Sequence, residues 1–196
     1  MLILGTHHQY TSREKKVSRI FGSIRQSGYV VRDINERMAF LSGTVGIEPW
    51  FVARNVQLPM CTYRDREIEL EMHVALANSG THQIELIQQV SPVGSIYTEW
   101  LDLYPSGNLL QHVSSWEEDF DGVVSRAQTV GWRIIQEGRS NYGPFAYLEH
   151  PDDPKMVFEV TLKGPERASI FEQVEAAAKG WDGTDPIREG WPKYEG

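Results

Sequence analysis

Cysteine is nearly absent, with Cys61 standing alone in 196 residues. No intrachain disulfide can form and nothing requires an oxidising compartment, so a reduced, cytoplasmic setting is expected. Long apolar runs are lacking too. No stretch of about 18 hydrophobic residues occurs, and Met1-Leu2-Ile3-Leu4 is too short for the apolar part of an export signal. A soluble, unexported protein is expected. Positive charge is in deficit, with 19 Lys+Arg against 27 Asp+Glu and a formal net charge of -8. That balance argues against nucleic acid and anionic membrane surfaces as partners and leaves a small-molecule substrate.

What is present is ordinary globular composition, 40% hydrophobic, enough for one domain or two small halves sharing a core. Residues 1–22 show neither helical nor strand period and read as a lead-in. His7 and His8 are adjacent there, and on an extended segment they point apart, which suits a tail better than a metal pair. Residues 23–90 read as a first unit. A strand around Gly28-Tyr29-Val30-Val31 is followed by a helix capped by Asp33, with Ile34, Met38 and Leu41 on one face, and then by strands over 50–56, 68–77 and the run holding Glu85. Residues 91–108, with Pro92, Gly94, Pro105 and Gly107, read as a linker. Residues 109–163 repeat the order: a strand, a helix capped by Asp119 and marked by Phe120, Val123, Val124 and Ala127, then strands at 132–137, 145–149 and 156–162. Residues 164–196 form a helix from Pro165 that packs on the outside, and a turn-rich tail whose Trp181 and Trp191 pin it to the body or to a second subunit.

The duplication can be counted. Gln26 and His112 each lie seven residues before the capping aspartate, and each helix ends in Thr-Val-Gly, at Thr44-Val45-Gly46 and Thr129-Val130-Gly131. The fold class is therefore α+β, two tandem βαβββ modules. In each module the last strand carries a lone carboxylate in an apolar run, Glu85 in Gln-Ile-Glu-Leu-Ile and Glu159 in Val-Phe-Glu-Val-Thr. Alone, Glu85 reads as a solvent-facing residue paired with an arginine. The repeat changes its meaning, because a pseudo-twofold arrangement brings Gln26, Glu85, His112 and Glu159 into one groove. One imidazole, two carboxylates and an amide oxygen suit one divalent ion of borderline hardness: Zn, Ni, Co, Mn or Fe. His73, His82 and His150 read as a strand-face, a turn and a loop residue, and Glu67, Glu69 and Glu71 as one solvated strand face.

The pattern Gln26-Ser27-Gly28-Tyr29-Val30-Val31-Arg32-Asp33, Ile84-Glu85-Leu86, Leu110-Gln111-His112-Val113 and Phe158-Glu159-Val160 resembles the vicinal oxygen chelate superfamily, over residues 24–162. That family includes glyoxalase I, methylmalonyl-CoA epimerase, extradiol dioxygenases and bleomycin-resistance proteins. The resemblance implies an open, cup-shaped mixed β-sheet around the metal, commonly in a homodimer. It implies a divalent-metal-dependent isomerase or lyase of the epimerase-like or glyoxalase-like kind, transferring a proton next to a metal-bound carbonyl. Glu159 is the candidate base, Glu85 a ligand and second acid/base, and Trp50 and Tyr147 candidate substrate-binding residues on strands lining the cup. The glyoxalase I subgroup with this ligand set has an arginine four positions past its first ligand and an asparagine four past its second. This chain has Val30 and Gln89 there, which weakens a glutathione reading. A dioxygenase site of two histidines and one carboxylate does not match Gln26 and Glu85. A non-catalytic small-molecule binder of the bleomycin-resistance type is the reading from a different class.

Overall fold

The computed structural model describes residues 18–194, so His7 and His8 lie outside the described residues. The chain begins with β1 (Ile24–Val30) and α1 (Ile34–Phe40), which runs on into a π-helical turn at Leu41–Val45. Next come β2 (Trp50–Gln57), a small hairpin of β3 (Met60–Tyr63) and β4 (Arg66–Glu67), β5 (Glu71–Ser79) and β6 (His82–Gln89). Helix α2 (Ile96–Leu103) leads to the second module: β7 (Leu109–Glu117), α3 (Phe120–Thr129), β8 (Arg133–Ser140), β9 (Gly143–His150) and β10 (Asp153–Leu162). Helix α4 (Pro165–Lys179) and β11 (Ile187–Glu189) follow.

The helices start where the sequence places them. Asp33 stands in extended geometry and its carboxylate accepts from the N–H groups of Asn35 and Glu36, while Asp119 accepts from that of Gly122. The repeated Thr-Val-Gly ends share a backbone reason: Gly46 and Gly131 have φ of 77° and 99°, a region that a side chain disfavours and that lets the chain reverse after a helix. Each helix then buries its apolar face on the outside of its own sheet. Ile34 and Met38 pack on Trp50, Val52, Ala75 and Leu86; Val123, Val124 and Ala127 pack on Ala146, Leu148, Phe158 and Val160. Full burial of a side chain such as Met38 contributes about 1.5–3 kcal/mol.

The strands form one sheet in the order β11-β2-β5-β6-β1-β7-β10-β9-β8-β3-β4. Within each module the first strand pairs parallel with the last, and the modules join through antiparallel β1 and β7. Strands β2 and β3 belong to opposite ends of this order, yet only Leu58 and Pro59 separate them. Three residue steps span at most about 11 Å, so the two edges come close and the sheet curls into a cup. It remains open, an α+β fold as expected.

Four local expectations are corrected. The linker holds α2, nucleated by a capping box in which Ser95 Oγ accepts from the backbone of Tyr97 and Thr98 and Ser95 N donates to Thr98 Oγ1 at 2.9 Å. Glu67, Glu69 and Glu71 do not share a strand, because β4 ends at Glu67 and β5 begins at Glu71. Helix α4 does not pack on the outside: Ile170 and Val174 are buried against Phe51 and Leu76, and its first turns border the cavity of the cup. Of the tail tryptophans, Trp191 packs against the core, whereas Trp181 donates its indole N–H to Thr184 O within the tail itself.

Candidate metal centre

Two lateral rows of residues cross the floor of the cup. Strand pairing aligns Gln83, Gln26, Ser114 and Glu159 across β6, β1, β7 and β10, and aligns Glu85, Gly28, His112 and Val157 in the next row. Side chains in register on neighbouring strands share a face. Read from opposite ends, the rows superpose Gln26 on His112, Glu159 on Glu85, and Ser114 on Gly28. The equivalence counted in the sequence is thus a property of the hydrogen-bond register.

Glycine at position 28 gives His112 its place. A Cβ there would stand 1.9 Å from the imidazole Cε1 and 2.2 Å from Nε2, so the ring lies directly on the β1 backbone. His112 is 1% exposed. Its Nδ1 sits 2.7 Å from Gln111 Oε1, an acceptor that fixes the ring proton on Nδ1 and turns the Nε2 lone pair towards the cup. That Nε2 is 3.2 Å from Glu85 Oε2 and 3.8 Å from Glu159 Oε2. The ligating atoms of the three residues all lie within 4.8 Å of one another. Neither His112 Nε2 nor Glu85 Oε2 has a partner in hydrogen-bond geometry, although both are buried.

Buried lone pairs that converge in this way repel, and either a proton or a cation among them relieves the repulsion. Burial is the main cause that pushes the Glu85 carboxyl above its usual range; nearby Glu159 adds to it and His112 opposes it. Gln26 lines the same cavity, and its amide N–H donates to Gln83 Oε1 at 2.7 Å, leaving the carbonyl oxygen as the atom for a cation. The residues present fit a divalent ion, with nitrogen and oxygen donors and room left for substrate oxygens.

Above the donors is a cavity of about 130 Å³. Tyr147 stands in it, its ring edge-on to His112 at 4.9 Å and its hydroxyl 3.0 Å from that of Tyr97 on α2. Burial, with Glu85 and Glu159 nearby, pushes both phenols well above their ordinary range, so both keep their protons. Two hydroxyls sharing one hydrogen bond leave one O–H free to donate into the cavity.

Trp50 is the correction. It is fully buried under α1 with Ile34 and Met38 on the outer face of the sheet and does not line the cavity. Phe51, the next residue, pairs in register with Leu76, which lines the cavity, so simple alternation turns Trp50 outward; beyond the bulge between Ala53 and Val56 the strand contributes Val56 to the cavity lining. His73, His82 and His150 bond to Asn55 N, Ser27 Oγ and Val130 O, away from the centre. Sequence reasoning missed Gln83, Gly28 and Arg167. Gln83 could have been found, because it lies two residues before Glu85 and therefore on the same face. Arg167 sits in the tail helix without any motif to mark it.

Paired βαβββ modules form a cup, and nitrogen and oxygen donors from its two halves meet at its floor, where they could hold a metal ion. The sequence matches the Glyoxalase/Bleomycin resistance protein/Dioxygenase superfamily over residues 25–147, and the chain belongs to that family. Methylmalonyl-CoA epimerase from Mycobacterium tuberculosis is similar in structure, with a TM-score of 0.52 at 16% identity over 76% of this chain and 93% of that one. A hypothetical protein from Bacillus halodurans C-125 is similar too, with a TM-score of 0.52 at 16% identity over 72% of this chain and 94% of that one. At such identities the likeness is one of fold. No curated protein matches the sequence. The matched stretch ends before Glu159 and α4.

Proposed function

We propose that the protein is a divalent-metal-dependent isomerase or lyase that transfers a proton at a carbon next to a carbonyl of a small-molecule substrate. The observation that carries this reading is the convergence of Glu85, His112 and Glu159, their donor atoms within 4.8 Å and two of them buried without partners. Gln26, Glu85, His112 and Glu159 would hold the ion. When bound, it supplies Lewis acidity that polarises a carbonyl and acidifies the carbon beside it.

The chain's own groups do the rest. Glu159, on β10 at the end of its row, takes the proton from that carbon; it returns the proton to the neighbouring atom in an isomerisation, whereas in an epimerisation Glu85 delivers a proton to the opposite face. Glu85, at the far end of the neighbouring row, is the second acid/base. The Tyr97–Tyr147 pair offers its spare O–H to a substrate oxygen and, with Val56, Met72 and Phe145, keeps water from the reacting carbon. A glutathione handle is not favoured. Val30 is buried in the core, and the Gln89 amide donates to Ser91 O and Val93 O at 2.8 and 2.7 Å, which ties it to the chain's own loop. The donor set of one histidine, two glutamates and an amide, rather than two histidines and one carboxylate, supports proton transfer at carbon over oxygen chemistry.

The test is metal content by elemental analysis, followed by deuterium exchange at the carbon next to a carbonyl by nuclear magnetic resonance. Glu159→Gln is expected to fold and to lose exchange by about 100-fold or more. Full-rate exchange in that variant would remove Glu159 as the base, and absence of metal uptake in the wild type would favour the binding-protein reading.

A further inference from the structure

Among the described residues lining the cavity, the charged groups are Glu85, Glu159 and Arg167. Arg167 comes from the first turn of α4, beyond the family-matched residues 25–147, and is 7% exposed. Its Nη1 donates to Pro144 O and Leu162 O at 3.1 and 2.8 Å, and its Nη2 to Ser140 Oγ and Gly143 O at 2.9 and 3.1 Å. Those four bonds use the four terminal hydrogens, fix the guanidinium at the cavity wall, and leave the Nε–H as the donor not assigned to them. Every partner is neutral. Among the described residues no ion pair includes Arg167.

A buried cation held only by neutral groups needs a counter-charge. Glu159 and Glu85 act on Arg167 from across the cavity without touching it. A divalent ion held between those two carboxylates is neutralised by them, and the positive charge of Arg167 then stands uncompensated in an otherwise neutral space. Phe171 and Trp191, from α4 and the tail, border the same space, whose volume of about 130 Å³ suits a compact substrate.

Resting on the metal reading above, we infer that the substrate is a small monoanion. Its negative group, a carboxylate in the simplest case, lies on the Arg167 side of the cavity, with its carbonyl oxygen turned to the glutamates. The four bonds of Arg167 to β8, β9 and the end of β10 make it a strut as well as a charge, so the test must separate these roles. The full-length chain loaded with Zn²⁺ is titrated calorimetrically with lactamide, lactate and tartronate, compact probes with adjacent oxygens that carry zero, one and two negative charges. A free divalent ion favours the dianion by charge alone. The protein is expected to bind lactate most tightly. Arg167→Gln is expected to reduce the lactate-to-lactamide preference by about ten-fold with metal content unchanged, whereas Arg167→Lys keeps it. Tartronate binding tightest in the wild type, or an unchanged preference in a folded Arg167→Gln, would overturn the inference. Should Arg167→Gln not fold, the wild-type order still decides. Failure of the wild type to take up Zn²⁺ would instead overturn the metal reading, a separate result.

Discussion

The first module offers Gln26 where the second offers His112, and Ser114 stands opposite Gln26 where Gly28 lies under the histidine. The small residue follows the ring: an imidazole laid on the neighbouring strand leaves no room for a Cβ, whereas an amide does. Gln83, equivalent to Val157, then gives Gln26 a hydrogen-bond partner that His112 does not need. On the proposed metal reading the second module would supply a strong nitrogen ligand, and the first a weak oxygen donor steadied by a second amide. A duplicated fold has kept its geometry while its two halves have divided the chemistry between them.

Metal affinity should expose this division most clearly. His112→Ala removes a nitrogen ligand and is expected to abolish stoichiometric binding. Gln26→Ala should weaken binding by about 10- to 100-fold, the range typical of groups that support a site rather than define it. Elemental analysis after dialysis, with competition against a chelator, measures both. Equal losses would mean that the halves contribute alike.

The space beneath the donors is the next contrast. Gly28→Val puts methyl groups into the imidazole and is expected to destabilise the protein by about 3 kcal/mol or to expel the ring, with loss of metal. Ser114→Gly, the symmetric change, removes a buried hydroxyl that has no hydrogen-bond partner. It should cost at most about 1 kcal/mol in denaturant unfolding, from backbone freedom.

A smaller effect concerns Glu85 in the metal-free protein. Burial first, and Glu159 next, raise the folded-state pKa of Glu85 above its ordinary 4.5. The folded chain therefore holds a proton that the unfolded chain releases, and stability falls as pH rises through the folded value. Chelator-treated protein should have a higher urea midpoint at about pH 5 than at about pH 8, and Glu85→Gln should flatten that slope. With metal bound the sign reverses, because ligands must be deprotonated to bind and acid then releases the ion. A metal-free slope that survives Glu85→Gln would assign the proton to another group.

How much of this was legible in the sequence divides along similar lines. Local chemistry was readable: the capping aspartates, the terminal glycines and the lone glutamates in apolar strands each follow from a few neighbouring residues. Counting turned them into a repeat, and the repeat into a ligand set. Features that depend on distant pairing were not. Trp50 and Phe51 are adjacent apolar residues that face opposite sides of the sheet, and which of them α1 covers is decided by pairing with β5 and by packing rather than by any local signal. The β3–β4 hairpin is short and pairs with β8, more than 70 residues away. Arg167 matters because of carbonyl groups and carboxylates brought to it from β8, β9, β10 and across the cup, and nothing around it in the tail helix announces that.

The helix caps give the finest test of the symmetry. Asp33 accepts from two backbone N–H groups, at 2.9 and 3.0 Å, while Asp119 accepts from one, at 3.1 Å, and shares its other oxygen with Arg126 at 3.3 Å. That Arg126 pair lies on the surface, where such pairs contribute little. Loss of a capping side chain typically costs about 1 kcal/mol, so Asp119→Ala should fall near that figure and Asp33→Ala somewhat above it, by a few tenths. If unfolding midpoints show Asp119→Ala to be the more damaging, the difference between the caps lies in how each helix is packed rather than in its first turn. α3 is the longer helix, Phe120–Thr129 against Ile34–Phe40, and buries Val123, Val124 and Ala127 beneath it, so its start would then govern more of the core than the start of α1 does.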